Sequence, residues 1–259
     1  MTKDSIARFL SLKCIRLRRI IRRYYYPRVD ISPYLDSFRG KNGIEIGGPS
    51  GVFLDLLPIY SVIDAIDSVN YSNNTIWKNQ STEQIAENYG HKYICDATDL
   101  SIIPDASYDF LISSHCLEHI ANPLKAMGEW LRILKYGSYL LIIVPDKRYT
   151  FDHLRPITSF DHLLHDYEQN MGEDDLTHLP ETIRLHDAKL DMLSKVCDVD
   201  WSNNIATRRM HHHVFDERLL KQVADYCELE TMRMDWINPY HIVMLARKLG
   251  SRQDHSVVK

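Results

Sequence analysis

Residues Gly43-Ile44-Glu45-Ile46 form a short apolar run that ends in Gly47-Gly48-Pro49-Ser50-Gly51, a turn built of small residues. A strand that stops on such a turn leaves backbone N–H groups with little side-chain cover, so the chain there can approach a bound molecule closely. The pattern downstream fits that start. Short β-branched runs alternate with helical segments, the signature of a parallel sheet with crossover helices. Strands are predicted near 43–47, 62–67, 91–95, 108–113 and 138–145, and helices over 80–90 and 117–135. The second helix closes at Gly137, with Arg132 and Lys135 in its last turns. A further helix over 216–227 precedes Leu229–Ile237 and His241–Arg247, two strand-like runs joined by Asn238-Pro239-Tyr240 as a C-terminal hairpin. The predicted fold class is α/β: a doubly wound, mostly parallel seven-stranded sheet with an antiparallel C-terminal hairpin.

Two segments stand outside this rhythm. Residues 5–26 place Ile6, Phe9, Leu10, Leu17, Ile20, Ile21 and Tyr24 on a rough helical period with arginines between them, and Pro27 ends the run. This gives a basic N-terminal helix over 1–28 ahead of a domain spanning 29–259. Residues 1–30 hold nine Lys and Arg against Asp4 and Asp30, so the remainder, with 22 basic and 33 acidic residues, sits near −11. A basic leader on an acidic body argues against a protein that coats nucleic acid. It suits packing on the domain or on a second subunit, or peripheral contact with an anionic membrane at its cytoplasmic face, with a nucleic-acid arm as a third option. No run of about 18 apolar residues suggests a membrane span, and the N-terminus lacks the apolar core of a secretory signal, so the expected compartment is the cytoplasm. Five scattered cysteines without a CxxC pair read as free thiols. The second segment, 146–215, is polar and rich in His and Asp; as an insertion at the carboxyl end of the fifth strand, it is where such folds build substrate sites.

Asp67 stands twenty residues after Gly47, at the predicted end of the second strand, where a carboxylate can take both hydroxyls of a ribose. Cys95-Asp96-Ala97-Thr98-Asp99-Leu100 follows the third strand, and Tyr108 to His119 runs from the fourth strand into a helix. In this order and spacing, Glu45 to Gly51, Asp67, Asp96-Ala97 and Ser113 to His119 resemble the class I, Rossmann-like S-adenosylmethionine-dependent methyltransferases, with the resemblance strongest over roughly 40–145. It implies that Glu45, Gly47, Gly48 and Gly51 hold the methionine end, Asp67 the ribose, and Asp96 with Ala97 the adenine, while Ser113 and Ser114 line the floor. Pro49 departs from the family's usual glycine and predicts a stiffer turn with one fewer N–H. A pyridine-nucleotide enzyme is the competing reading, but Gly-x-Gly-x-x-Gly is absent.

An alcohol acceptor needs a base, and histidine is the usual one near neutral pH. The chain has 13 histidines. The resemblance favours His119, where Leu-Glu-His opens the helix beside the transferred methyl, and the apolar neighbours of His212-His213-Val214-Phe215-Asp216 turn His213 inward. No His-Glu-x-x-His spacing occurs, and adjacent histidines do not easily place three imidazoles on one ion, so no metal is expected. Asp146, Arg148 and Tyr149 open the insertion with charged and aromatic groups suited to a polyhydroxylated or phosphorylated ligand. Together with the glycine loop and the His-Val-Phe-Asp segment, this run resembles glycan-modifying methyltransferases. The expected activity is O-methylation of a sugar hydroxyl on a glycan or glycolipid precursor, with His119 or His213 as base. The alternatives are a small-molecule, phosphate or nitrogen methyltransferase and a non-catalytic module of the same fold.

Overall fold

The computed structural model describes residues 29–75, 90–191 and 203–250. The proposed N-terminal helix over 5–26 and nearly all of the proposed helix over 80–90 lie outside these residues. Seven strands form one sheet: β1 (Asn42–Ile46), β2 (Ala65–Asn70), β3 (Lys92–Ile94), β4 (Tyr108–Ser114), β5 (Leu134–Pro145), β6 (Leu229–Ile237) and β7 (His241–Lys248), in the order β3-β2-β1-β4-β5-β7-β6. The first five run parallel, and β7 is antiparallel to both β5 and β6. This is the mixed, doubly wound sheet expected from the sequence.

Its central strands read as unbroken apolar runs because both faces are covered. Ile44, Leu111, Leu140, Ile142 and Val144 face one core, with α2 (Pro123–Ile133), α3 (Phe160–Glu168) and α5 (Glu217–Tyr226) packed over them. Phe110, Ile112, Leu141 and Ile143 alternate onto the other face, against Tyr34 and Phe38 of α1 (Ser32–Phe38) and against Phe53, Leu57 and Ile59. The period-2 alternation of a strand assigns each neighbour to the opposite layer.

Element edges differ from the sequence reading where local chemistry decides. The predicted helix over 117–135 divides into a 3-10 turn, Leu117–His119, and α2. Pro123 has no N–H and its ring would meet the carbonyl four residues back, so it is tolerated only in the first turn, where the Asn122 side chain caps by accepting from Lys125 N–H. β5 takes over at Leu134, earlier than expected, and accommodates Gly137 at φ +75. β2 ends at Asn70, three residues beyond the predicted stop.

Within 146–215, α3 begins on a Ser159 cap, and α4 (Leu179–Leu185) and a single helical turn, Asn204–Thr207, follow. The polar composition of this stretch does not mean exposure. Asp152, Arg155, Asp166, His211, His212 and His213 are all buried. Among the described residues, no helix is long and apolar enough to cross a membrane.

Candidate functional site

The carboxyl ends of β1 to β4 open onto one cavity of about 450 Å³, within the range of small-molecule sites. Its floor begins at Ile46. Gly47 then turns the chain at φ +78, with its N–H donated to Val69 O at 2.9 Å. A Cβ there would lie 3.0 Å from Cys116 Sγ, so glycine is needed both for the conformation and for the approach. Glu45 is wholly buried beneath this turn: Oε1 accepts from Ser50 N–H at 3.0 Å and Oε2 from the Tyr60 hydroxyl at 2.7 Å. A Cβ on Gly48 would fall 2.1 Å from Glu45 Cδ. Glu45 and Gly48 therefore shape the loop from behind, while Gly47, Pro49, Ser50 and Gly51 face the cavity.

At the end of β2 the cavity meets Asn70 and Tyr71, and Asn70 Nδ2 donates to Gly48 O at 2.7 Å. Asp67 does not line it. This corrects the ribose assignment: Asp67 sits mid-strand, its Oδ1 accepting from His91 N–H and its Oδ2 from the Tyr108 hydroxyl, both at 2.6 Å. The longer β2 moves the strand end, and with it the ligand-facing position, to Asn70.

After β3 come Cys95, Asp96 and Ala97, all on the cavity wall. Asp96 accepts from Thr98 N–H and Oγ1 and, through Oδ2, from Arg208 Nη2 at 2.8 Å. Burial would raise its pKa, but these donors outweigh it and hold the carboxyl below the usual range. Arg208, at φ +49, also reaches Glu173 Oε2 at 2.9 Å and lies over the Tyr71 ring. Its guanidinium thus joins two carboxylates on the wall of the cavity.

β4 delivers the remaining wall. Ser113 is buried behind it, donating to Ile46 O at 3.2 Å, whereas Ser114 lines it with a buried Oγ that has no hydrogen-bond partner in the protein. His115 follows at φ +51, a costly conformation for a side chain of this size, and it too faces the cavity. Its Nδ1 lies 3.5 Å from Oε1 of the buried Glu118, and its Nε2 lies 2.8 Å from His241 Nδ1. Burial opposes the charge on Glu118, yet His115 and the neighbouring imidazoles hold its pKa below the usual value. His119 lines the cavity as expected, with Nδ1 3.3 Å from Met210 O and its ring edge-on to His211. Burial lowers its pKa to about 3, so the imidazole is neutral at physiological pH.

The other proposed positions lie elsewhere. His213 is fully buried outside the cavity, with Nε2 3.2 Å from Ala121 O. Asp146 is bound by Arg148 and by Trp236 Nε1–H at 2.9 Å, and Tyr149 stacks against Trp236. This trio does not line the cavity; Asp146 instead caps the 3-10 turn Lys147–Tyr149. Of the residues proposed from the sequence, Gly47, Gly51, Asp96, Ala97, Ser114 and His119 line the cavity. His115, one of the clustered histidines given no role, lines it too, as do Arg208, Glu173 and Tyr240, which have no local signal.

A glycine turn, an orphaned buried hydroxyl and polar groups at four adjacent strand ends fit a nucleoside-bearing cofactor. Residues 17–225 match the family described as a methyltransferase domain. The chain belongs to this methyltransferase family. Its cofactor is S-adenosylmethionine, the methyl donor on which the enzyme depends. A comparison with curated proteins gives no match. The methyltransferase is similar to several solved structures. One is a methyltransferase from Aquifex aeolicus, 14% identical, covering 85% of this chain and 90% of that one with a TM-score of 0.49. Another, from Methanosarcina mazei, is 18% identical over 85% and 99% of the two chains, also at 0.49. A third is the 1,6-didemethyltoxoflavin-N1-methyltransferase of Burkholderia thailandensis, crystallised with 1,6-didemethyltoxoflavin and S-adenosylhomocysteine. It is 12% identical over 96% and 92%, with a TM-score of 0.49.

Two outcomes follow for the cavity. Gly48→Ala forces its Cβ onto the Glu45 carboxylate and should weaken S-adenosylmethionine binding about tenfold or more, as overpacking of about 1–3 kcal/mol displaces the loop. The second concerns pH. Burial, then the neighbouring His115, lowers His241 to about 3, so the folded state binds fewer protons than the unfolded chain between that value and the usual 6.5. Its contribution is complete above 6.5 and declines as pH falls through that window. Denaturant unfolding of the wild type and His241→Gln should show their stability difference shrinking between pH 7.5 and 5.

Proposed function

We propose that the methyltransferase methylates a hydroxyl oxygen, and that its acceptor is a sugar-like molecule such as a glycan or glycolipid precursor. The observation that supports this reading is the His115–Glu118 pair on the cavity wall. A phosphate oxygen or a neutral amine is already nucleophilic, so a buried carboxylate spent on orienting an imidazole serves an acceptor that must lose a proton. Glu118 draws the Nδ1 proton of His115 and leaves Nε2 as the basic nitrogen, a position that His241 Nδ1–H occupies at 2.8 Å and that an acceptor hydroxyl can take over. His119, held neutral by burial with a pKa near 3, is a poor base and is assigned a hydrogen-bonding role beside the acceptor.

The Gly47 to Gly51 loop, Asn70, Asp96, Ala97 and Ser114 are proposed to hold S-adenosylmethionine, whose sulfonium supplies an electrophilic methyl and leaves as a neutral thioether. The protein's share is alignment and proton removal. Glu173, Arg208, Tyr71 and Tyr240 give the cavity charged forks and aromatic faces, the surfaces that sugars meet well. The domain bounds 1–28, 29–259 and 146–215 and a cytoplasmic location belong to the same proposal.

His115→Asn should lower kcat by about 100-fold or more toward a hydroxyl acceptor while leaving the dissociation constant for S-adenosylmethionine unchanged. Full activity in that variant, measured by transfer of labelled methyl to a panel of nucleotide sugars, glycolipids and free glycans, would favour a phosphate or amine acceptor instead. The cationic run 5–26 is proposed to bring the enzyme to anionic lipid. The full chain should co-sediment with phosphatidylglycerol vesicles, and the fourfold variant Arg16→Ala, Arg19→Ala, Arg22→Ala, Arg23→Ala should do so less; equal binding by both counts against it.

A further inference from the structure

Beneath the turn that carries His119 lies a second, partly buried constellation, separate from the cavity. His162 and Asp166 stand one turn apart on the same side of α3, His178 immediately precedes α4, and His213 follows the short turn Asn204–Thr207. Their donor atoms converge. His162 Nε2 is 3.0 Å from His178 Nε2 and 3.3 Å from Asp166 Oδ2, and His213 Nε2 is 3.6 Å from the same oxygen. The four donor atoms all lie within 4.8 Å of one another. Ligands at zinc distances on a tetrahedron are about 3.3–3.5 Å apart, from Zn–N and Zn–O bonds of about 2.0–2.2 Å. The separations here have that size.

Hydrogen bonding alone does not account for the arrangement. Asp166 Oδ2 is buried and has no hydrogen-bond partner in the protein, although the Asp166 side chain is only 3% exposed. An uncompensated buried carboxylate oxygen is costly, and a cation at the centre of these four groups removes the cost. Three imidazoles with one carboxylate are borderline donors that suit zinc, cobalt or nickel, whereas magnesium and calcium prefer all-oxygen shells.

We propose that His162, Asp166, His178 and His213 bind one zinc-class divalent cation in a closed, four-coordinate structural site. None of the four lines the cavity, so the ion has no open face toward substrate. Binding moves the His213 proton from Nε2, which otherwise donates to Ala121 O, to Nδ1. The ion ties α3, the start of α4 and the segment around His213 into one unit. His213 N–H also donates to Glu118 O at 3.2 Å, so the same unit buttresses the turn bearing Glu118 and His119. The site stands independently of the acceptor assignment. The ligands come from three separated stretches of sequence, which is why no spacing motif announces them.

The test uses the full-length, untagged protein stripped with chelator and titrated with Zn²⁺ alone. One equivalent should be retained through gel filtration, as counted by plasma mass spectrometry, and Tm should rise by roughly 5 °C or more. Cobalt in place of zinc should give the intense visible bands of a four-coordinate ion. His178→Gln and Asp166→Asn, with folding checked by circular dichroism, should each lose the retained metal and the Tm response. Retention of less than half an equivalent by the wild type overturns the proposal, as does equal retention by folded variants. Should neither variant fold, the cobalt spectrum decides, and the weak bands of a six-coordinate ion overturn it.

Discussion

Arg155 carries a full charge in a side chain that is 1% exposed, and the way this charge is met organises the whole insertion. Nη1 donates to Asp152 Oδ1 and to His211 O at 2.8 Å, Nη2 donates to His212 O, and Nε donates to Glu181 Oε1 at 2.9 Å. Asp152 in turn binds His211 Nδ1. Burial alone would depress the His211 pKa, yet the adjacent carboxylate raises it, so this imidazole carries charge more readily than its neighbour His119. Removing one member of such a set leaves the others buried and unpaired, typically a loss of about 3–5 kcal/mol. Through this node the segment 208–213 is held against the sheet ends, which sets Arg208 at the cavity and His213 beneath it.

The glycine loop shows how the same residue type can serve two masters. Gly47 is required by its own φ and by the nearness of Cys116, both of which face the ligand side. Gly48 is required by the Glu45 carboxylate on the protein side. The strand-end acid thus acts as an internal brace: it fixes Ser50 N–H and Tyr60, and the turn it holds presents backbone to the cavity. A ligand contact inferred from the motif becomes a support for the residues that make the contact.

The sheet was legible in the sequence because its signals are local: continuous apolar runs, turn residues, and a terminal hairpin whose strands were placed within one residue. Positions that depend on where a strand stops were less so. A three-residue extension of β2 exchanges Asp67 for Asn70 at the cavity, and no periodicity separates the two. Ser114 ends β4 and Asp96 stands two residues past β3, positions that a strand pattern marks, whereas His119 is singled out by the resemblance. The apolar neighbours of His212-His213 suggest one inward histidine; His211, His212 and His213 are all buried, and His213 lies in a cluster apart from the cavity, which only the folded insertion assembles. Arg148 and Asp146 pair with each other, an interaction two residues long that composition cannot distinguish from a ligand site.

The placement of β7 between β5 and β6 bears on how the protein is made. Among the described residues β6 pairs only with β7, so its pairing waits until the strand after it has left the ribosome. The antiparallel pair lies along β5 and brings Tyr240 to the cavity wall and His241 against His115. A nascent chain that still lacks β7 holds the Gly47 to Gly51 turn and the parallel strands, but leaves β5 with an unpaired edge and His115 without the imidazole that meets it.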